Sequence, residues 1–290
     1  MDARPTIAGG VAHLARNPAV VLLTLLTLCL AVYLPGVMRL PAVDRTEVVY
    51  AETTRDMMAR GAYLDPRYGE TVHQFRPIGA YWAQAKFAWL AGEGQARDIT
   101  VYRLPGMLSV TLAVLALYWL SAPLIGTTAA FIAAALFAVA PLTVLVAHLA
   151  IAEGLSLLPA TMAMLALLRI YAAPREDDTR ALALIFWAAL GISVLINALL
   201  VPILVAVTLL GVWIMDRDTA WLKRVPIWPG LPIALLIASP WLIVRVMQDG
   251  VPFAGMDWRE FLAALGGSQD MKLRAMPGTF VLAMLLGFLP

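Results

Sequence analysis

Charge is scarce in this chain. Asp, Glu, Lys and Arg make up 14% of its 290 residues, well below the quarter expected of a soluble globular domain. The net charge is only +2 and no basic stripe exists to neutralise phosphates, so nucleic acid is not a partner. Cysteine is nearly absent: the single one, Cys29, lies inside the first apolar run. That excludes a disulfide framework and a cysteine metal site, and leaves packing or lipid contact as its role. The N-terminus "MDARPTIAGGVAHLARNP" precedes a long apolar run with no convincing small-residue cleavage site. It therefore reads as leading into a retained span rather than a cleaved signal peptide. Ionisable residues are also missing from the middle of the apolar runs, with His148, Glu153 and Arg245 near run ends. A proton relay or ion carrier needs such groups at mid-depth, and no inverted repeat with paired broken helices is evident.

What is present is apolar surface: 61% of the residues are hydrophobic, more than one water-soluble core can bury. Runs long enough to cross a bilayer occupy roughly 19–38, 104–122, 126–147, 154–172, 182–197, 199–215 and 228–247. The pair at 182–215 is slightly short for two spans and too long for one, with a turn near Asn197. An eighth run starts at Gly278 and stops at Pro290, so the natural chain is expected to continue. The fold class is thus an all-α integral membrane protein, a polytopic bundle of seven to eight spans forming one domain over 1–290. Short loops bearing Arg169, Arg175, Arg180, Arg217, Lys223 and Arg224 set the topology by the positive-inside rule. The N-terminus is then cytoplasmic, in the inner (plasma) membrane of the cell envelope, and the loops 39–103 and 248–277 are periplasmic.

The polar chemistry gathers in the first of those loops. From Thr46 to Arg60 helical spacing puts Glu47, Tyr50, Ala51, Thr54, Met57 and Met58 on one face. Glu52, Arg55, Asp56 and Arg60 fall on the other, as in an amphipathic helix lying on the membrane or on the bundle. Glu47 is the exception, a carboxylate on the apolar side. Two readings stand: a capping box with Asp44 as N-cap, or a side chain facing a polar cavity between helix and bundle. A second amphipathic helix, "IGAYWAQAKFAWLAG", follows Pro77, and its Tyr81, Trp82 and Trp89 suit a membrane interface. Between the two helices, His73 is a candidate ligand or base, and Arg76 a candidate bidentate phosphate contact.

The order of these motifs is similar to that of a known family. The stretch from Asp44 to Glu47, then "YAETTRDMM", "GAYLDPRY", "RPIGAYW" and "VYRLPGML", resembles the dolichyl-phosphate-mannose-type and aminoarabinose lipid A-type glycosyltransferases, membrane enzymes of the GT-C fold. The likeness continues through "AHLAIAEGL", "FWAALGISVLINALLVP" and "IASPWLI" and covers essentially the whole chain. It implies a sugar carried on a polyprenyl phosphate, passed at the outer membrane face to a lipid or other cell-envelope acceptor, as in lipid A modification. The resemblance makes the polar insert the roof of the active site. It implies a carboxylate base, Glu47 or Asp44, and cations on the leaving phosphate, Arg76 with Lys272 or Arg274. Tyr81 and Glu153 are further candidates for substrate contact. His148 and Glu153 are the candidate ligands of a divalent metal ion, on a spacing that is not a strong metal signature.

Several positions depart from the family pattern. Where relatives often read Asp-Arg-Asp-Glu this chain has Asp44-Arg45-Thr46-Glu47, and a threonine hydroxyl is no base near neutral pH. Lys-Lys-Pro becomes Phe75-Arg76-Pro77, Lys-Thr-Asp becomes Ile151-Ala152-Glu153, and Lys-Gly becomes Asn197-Ala198. The alternative function is accordingly a noncatalytic scaffold or accessory subunit of the same fold, bound to a membrane-protein partner.

Overall fold

The computed structural model describes residues 17–68, 71–72, 77–92, 98–174, 176–217 and 219–249. Every apolar run that falls within them is helical. The first is α1 (Pro18–Arg39), followed by two shorter surface helices, α2 (Arg45–Arg60) and α3 (Gly79–Leu90). The minimal strands β1 (Arg67–Tyr68) and β2 (Thr71–Val72) pair antiparallel between them. The bundle continues with α4 (Ile99–Ile125), α5 (Thr127–Val139), α6 (Pro141–Ala147) and α7 (Ala152–Ala172). It closes with α8 (Arg180–Asn197), α9 (Leu200–Asp216), a 3-10 turn (Ala220–Arg224) and α10 (Ile227–Asp249).

Five of these helices, α1, α4, α7, α8 and α10, are long and apolar enough to cross a membrane, six if α5 and α6 count as one bent span. The run read as one span over 126–147 breaks at Ala140, with Pro141 opening α6 and a bend of 61°. Proline is comfortable at a first helical position but cannot donate to a preceding turn, so the break falls there. At 17 residues α9 reaches only about 25 Å at 1.5 Å per residue, shorter than a typical hydrocarbon core. The eighth run and the 248–277 loop lie outside the described residues, apart from the last turn of α10.

Packing follows the spacing of small and large residues. On α1 the buried residues are Val21, Leu25, Cys29, Tyr33 and Val37, one in four, and on α5 they are Ala130, Ala134 and Ala138. Matching i, i+4 ridges let the two helices pack, and the alanines let the backbones approach closely. The Tyr33 hydroxyl donates to the Ala138 carbonyl at 2.7 Å across this seam. A second apolar cluster, including Ala163, Ala166, Ile170, Phe186 and Val205, joins α7, α8 and α9. α4 lies along α7, and α10 along α8. Large apolar side chains such as Leu23, Trp119, Leu210 and Leu236 point outward, as lipid contact requires.

Candidate functional site

At one end of the bundle, α1 finishes, α4 and α7 begin, and α2 and α3 lie across them. Asp44 starts α2 as its N-cap, its Oδ1 accepting the Thr46 N–H at 2.7 Å. Gly61, at φ 63°, ends the helix, with the N–H groups of Gly61 and Ala62 reaching the Met58 and Met57 carbonyls. The buried face of α2 is Glu47, Val49, Tyr50, Ala51, Thr53, Thr54 and Met57, in line with the helical spacing.

Glu47 does not complete a capping box. Its carboxylate is wholly buried and turned to Arg103, in the first turns of α4 and also wholly buried. Arg103 Nε donates to Glu47 Oε1 at 2.6 Å, and Nη2 to Oε2 at 2.9 Å. Its remaining donors reach the carbonyls of Val37 (3.3 Å) and Leu40 (2.6 Å) from Nη1, and Pro41 (2.9 Å) from Nη2. A guanidinium carries five N–H donors, and all five are matched. Glu47 Oε1 also accepts the Ala150 N–H at 3.0 Å, from the loop between α6 and α7. One ion pair thus ties together the end of α1, the start of α2, α4 and the α6–α7 loop. A buried charge pair of this kind is tolerable only with its hydrogen bonds complete, as they are here.

A second polar bridge lies beside it. Gln84 of α3 donates from Nε2 to the Ala150 carbonyl at 3.0 Å, and its Oε1 is 2.7 Å from the Thr54 hydroxyl of α2. The Ala150 peptide is therefore held on both sides, N–H on Glu47 and C=O on Gln84. Tyr81 of α3 is not at an interface: it is fully buried, its ring centroid 5.2 Å from that of Tyr50. Trp82 is half-buried and its Nε1 donates to the Tyr63 carbonyl at 2.7 Å, leaving Trp89 as the exposed aromatic of α3.

The other expected residues are distributed as follows. Asp44 is half-exposed, three residues before Glu47. Glu153 is exposed in the first turn of α7, where a carboxylate also suits the helix dipole. His148 packs over Gly36 and lies with Nε2 3.0 Å from the Tyr33 carbonyl, a contact that calls for a proton on that nitrogen. Among the described residues no group of three His, Cys, Asp or Glu side chains converges that could hold a metal ion. His73, Arg76, Lys272 and Arg274 lie outside the described residues. The residues that sequence reasoning did not assign are Arg103, Gln84 and Thr54. Arg103 did carry a signal, an arginine at the mouth of an apolar run within "VYRLPGML".

Apolar helices long enough to cross a membrane, with a buried ion pair joining them at one end, define a polytopic helical membrane protein. The chain belongs to the dolichyl-phosphate-mannose-protein mannosyltransferase family, whose model matches residues 75–244. It is 27% identical over 253 residues to the undecaprenyl phosphate-alpha-4-amino-4-deoxy-L-arabinose arabinosyl transferase of Erwinia tasmaniensis, covering 84% of this chain and 43% of that protein. Two crystal structures of ArnT from Cupriavidus metallidurans share its fold. The apo form gives a TM-score of 0.76 at 20% identity, and the form bound to undecaprenyl phosphate 0.78 at 21%. Each match covers 92% of this chain and 48% of the other. The chain thus spans less than half the length of these relatives.

Proposed function

We propose that this chain carries the membrane part of a glycosyltransferase that moves a sugar from a polyprenyl-phosphate donor to a lipid or other cell-envelope acceptor at the periplasmic face of the inner membrane. The supporting observation is the Asp44–Glu47 segment, fixed by Arg103 at the roofed end of an apolar bundle, in a chain of this family. A prenyl-linked donor stays in the bilayer, so its phosphate and sugar can be met only at a bundle end.

In this reading an acceptor hydroxyl oxygen bonds to the anomeric carbon as the carbon–oxygen bond to phosphate breaks. The hydroxyl proton passes to a carboxylate and the prenyl phosphate leaves. Asp44 is the better placed of the two candidate bases. It is half-exposed with only Oδ1 engaged among the described residues, whereas both oxygens of Glu47 are occupied. Glu47 then acts as a positioning residue that fixes the start of α2. Arg76 with Lys272 or Arg274 would hold the donor phosphate, Glu153 would line the acceptor side, and Tyr81 would act from beneath by supporting Tyr50.

The second reading, a noncatalytic scaffold, draws on the same ion pair: Thr46 replaces an acid and the remaining inward acid is fully engaged. Incubating purified protein with radiolabelled undecaprenyl-phosphate sugars and membrane lipids separates the two. Transfer that is lost in Asp44→Asn while the protein keeps its melting temperature supports the enzyme. Absence of transfer from every donor, together with stable co-purification of a membrane protein, supports the scaffold.

A further inference from the structure

At the end of the bundle opposite the ion pair, a cavity of about 1020 Å³ lies where α7 and α9 finish and the 3-10 turn begins. Tyr171, Met215, Asp216, Trp221, Lys223 and Arg224 line it. It is a polar mouth among apolar helices. α7 has 21 residues, about 31 Å at 1.5 Å per residue, so Tyr171 comes at the depth of lipid headgroups when Ala152 sits at the opposite surface.

Both signs of charge occur in it. Arg224 is half-buried and oriented, its Nη1 donating to the Ala173 carbonyl at 2.8 Å beyond the end of α7. Its Nε and Nη2 make no hydrogen bond to a described residue. Lys223 is exposed, with no described carboxylate within 4.0 Å. Asp216 is the last residue of α9, where the helix dipole disfavours a negative charge. It takes a hydrogen bond from the Tyr171 hydroxyl but has no ion pair among the described residues. Tyr171 and Trp221 meet edge to face with centroids 5.3 Å apart, beside that carboxylate. From the cavity a stripe of exposed apolar residues, Val207, Leu210 and Ile214, runs up α9.

We propose that this cavity seats the headgroup of a membrane phospholipid carrying both a phosphate and an ammonium. Lys223 and the free edge of the Arg224 guanidinium hold the phosphate. Asp216 holds the ammonium, with the Trp221 and Tyr171 rings adding cation–π attraction, and the acyl chains lie along the α9 stripe. A purely anionic headgroup would leave Asp216 facing negative charge. Phosphoethanolamine places a cation there instead and relieves the helix terminus.

The test is native mass spectrometry of the detergent-solubilised full chain with dioleoyl phosphatidylethanolamine, dioleoyl phosphatidylglycerol, free phosphoethanolamine or inorganic phosphate. Phosphatidylethanolamine is expected to be retained preferentially. Lys223→Gln and Asp216→Asn each reduce that retention by about threefold to tenfold, the range of a charge-assisted contact at a partly exposed site. Asp216→Asn leaves phosphatidylglycerol retention unchanged or higher. Matched elution volumes and melting temperatures show that both variants fold, and Tyr171→Phe gives an independent probe of the ammonium side. Equal retention of both lipids, insensitive to the variants, overturns the proposal in favour of unspecific annular lipid. Preferential phosphatidylglycerol binding overturns it in favour of an anionic headgroup site. Binding of phosphoethanolamine or phosphate as tight as that of the lipid overturns it in favour of a soluble ligand. None of these outcomes bears on sugar transfer at the other end of the bundle.

Discussion

Arg103 and Glu47, 56 positions apart in the chain, meet as a two-pronged ion pair from which water is fully excluded. The guanidinium also takes three backbone carbonyls at the end of α1, so the pair joins four segments rather than two.

Breaking this pair from one side strands a charge. Glu47→Gln and Arg103→Met are each expected to destabilise the protein by about 3–5 kcal/mol, against the smaller effect of exchanging both. The double exchange Glu47→Gln with Arg103→Met restores part of the loss, measured as melting temperature in detergent. Additive losses across this cycle would mean that the two side chains do not interact.

Asp44 has two separable properties. As an N-cap it is replaceable by asparagine, whose side chain accepts the same Thr46 N–H, while Asp44→Ala costs about 1 kcal/mol. As a base it is not replaceable by asparagine. The expected pattern is stability kept and transfer abolished in Asp44→Asn, and both reduced in Asp44→Ala. Full transfer by Asp44→Asn would remove it from the chemistry.

Gly36 and Gly79 are among the glycines required by close approach. A Cβ on Gly36 would sit 2.3 Å from His148 Nε2, and one on Gly79 would sit 2.5 Å from the Leu195 carbonyl oxygen. Both alanine substitutions are expected to cost about 1–3 kcal/mol. Adding His148→Ala removes the obstacle at Gly36 and recovers stability in that background. No side-chain truncation recovers Gly79→Ala, because its principal obstacle is backbone. Thermal melts of the three variants decide the matter.

The α8–α9 turn holds strain. Ala198 adopts φ 38°, a left-handed backbone that an L side chain disfavours. Ala198→Gly is expected to raise stability, by about 1 kcal/mol less the entropy that glycine returns to the unfolded chain. A lower melting temperature for this variant would show that the methyl group packs usefully.

Asp98 supplies a pH signature. It caps α4, accepting the Thr100 N–H at 3.0 Å, and that bond holds its carboxyl below the usual carboxylate range. A depressed folded-state value contributes stability above the unfolded value, about 3.9, and the contribution fades as pH falls through the folded one. Exchange protection of the first turn of α4 is therefore expected to fall in wild type as pH drops below about 4. In Asp98→Asn it should stay flat after correction for intrinsic exchange rates.

The sequence by itself determined most of the spans, because twenty or so apolar residues in a row have few other places to go and each helix satisfies its own backbone. It also determined α2 with its cap at Asp44 and its buried face, since both depend on spacing within four residues. The turn at Asn197 was legible for the same local reason, and the order of motifs carried the family. Only the tertiary structure decided what Glu47 touches. A capping box and a long-range ion pair ask for the same glutamate at the same spacing, and the choice depends on Arg103 arriving from another helix. Tyr81 and Trp89 sit on one amphipathic helix, and packing against Tyr50, not residue type, buried the first and left the second outside. The break at Pro141 likewise turned one expected span into two helices, because neighbouring helices fix the angle that a missing N–H merely permits.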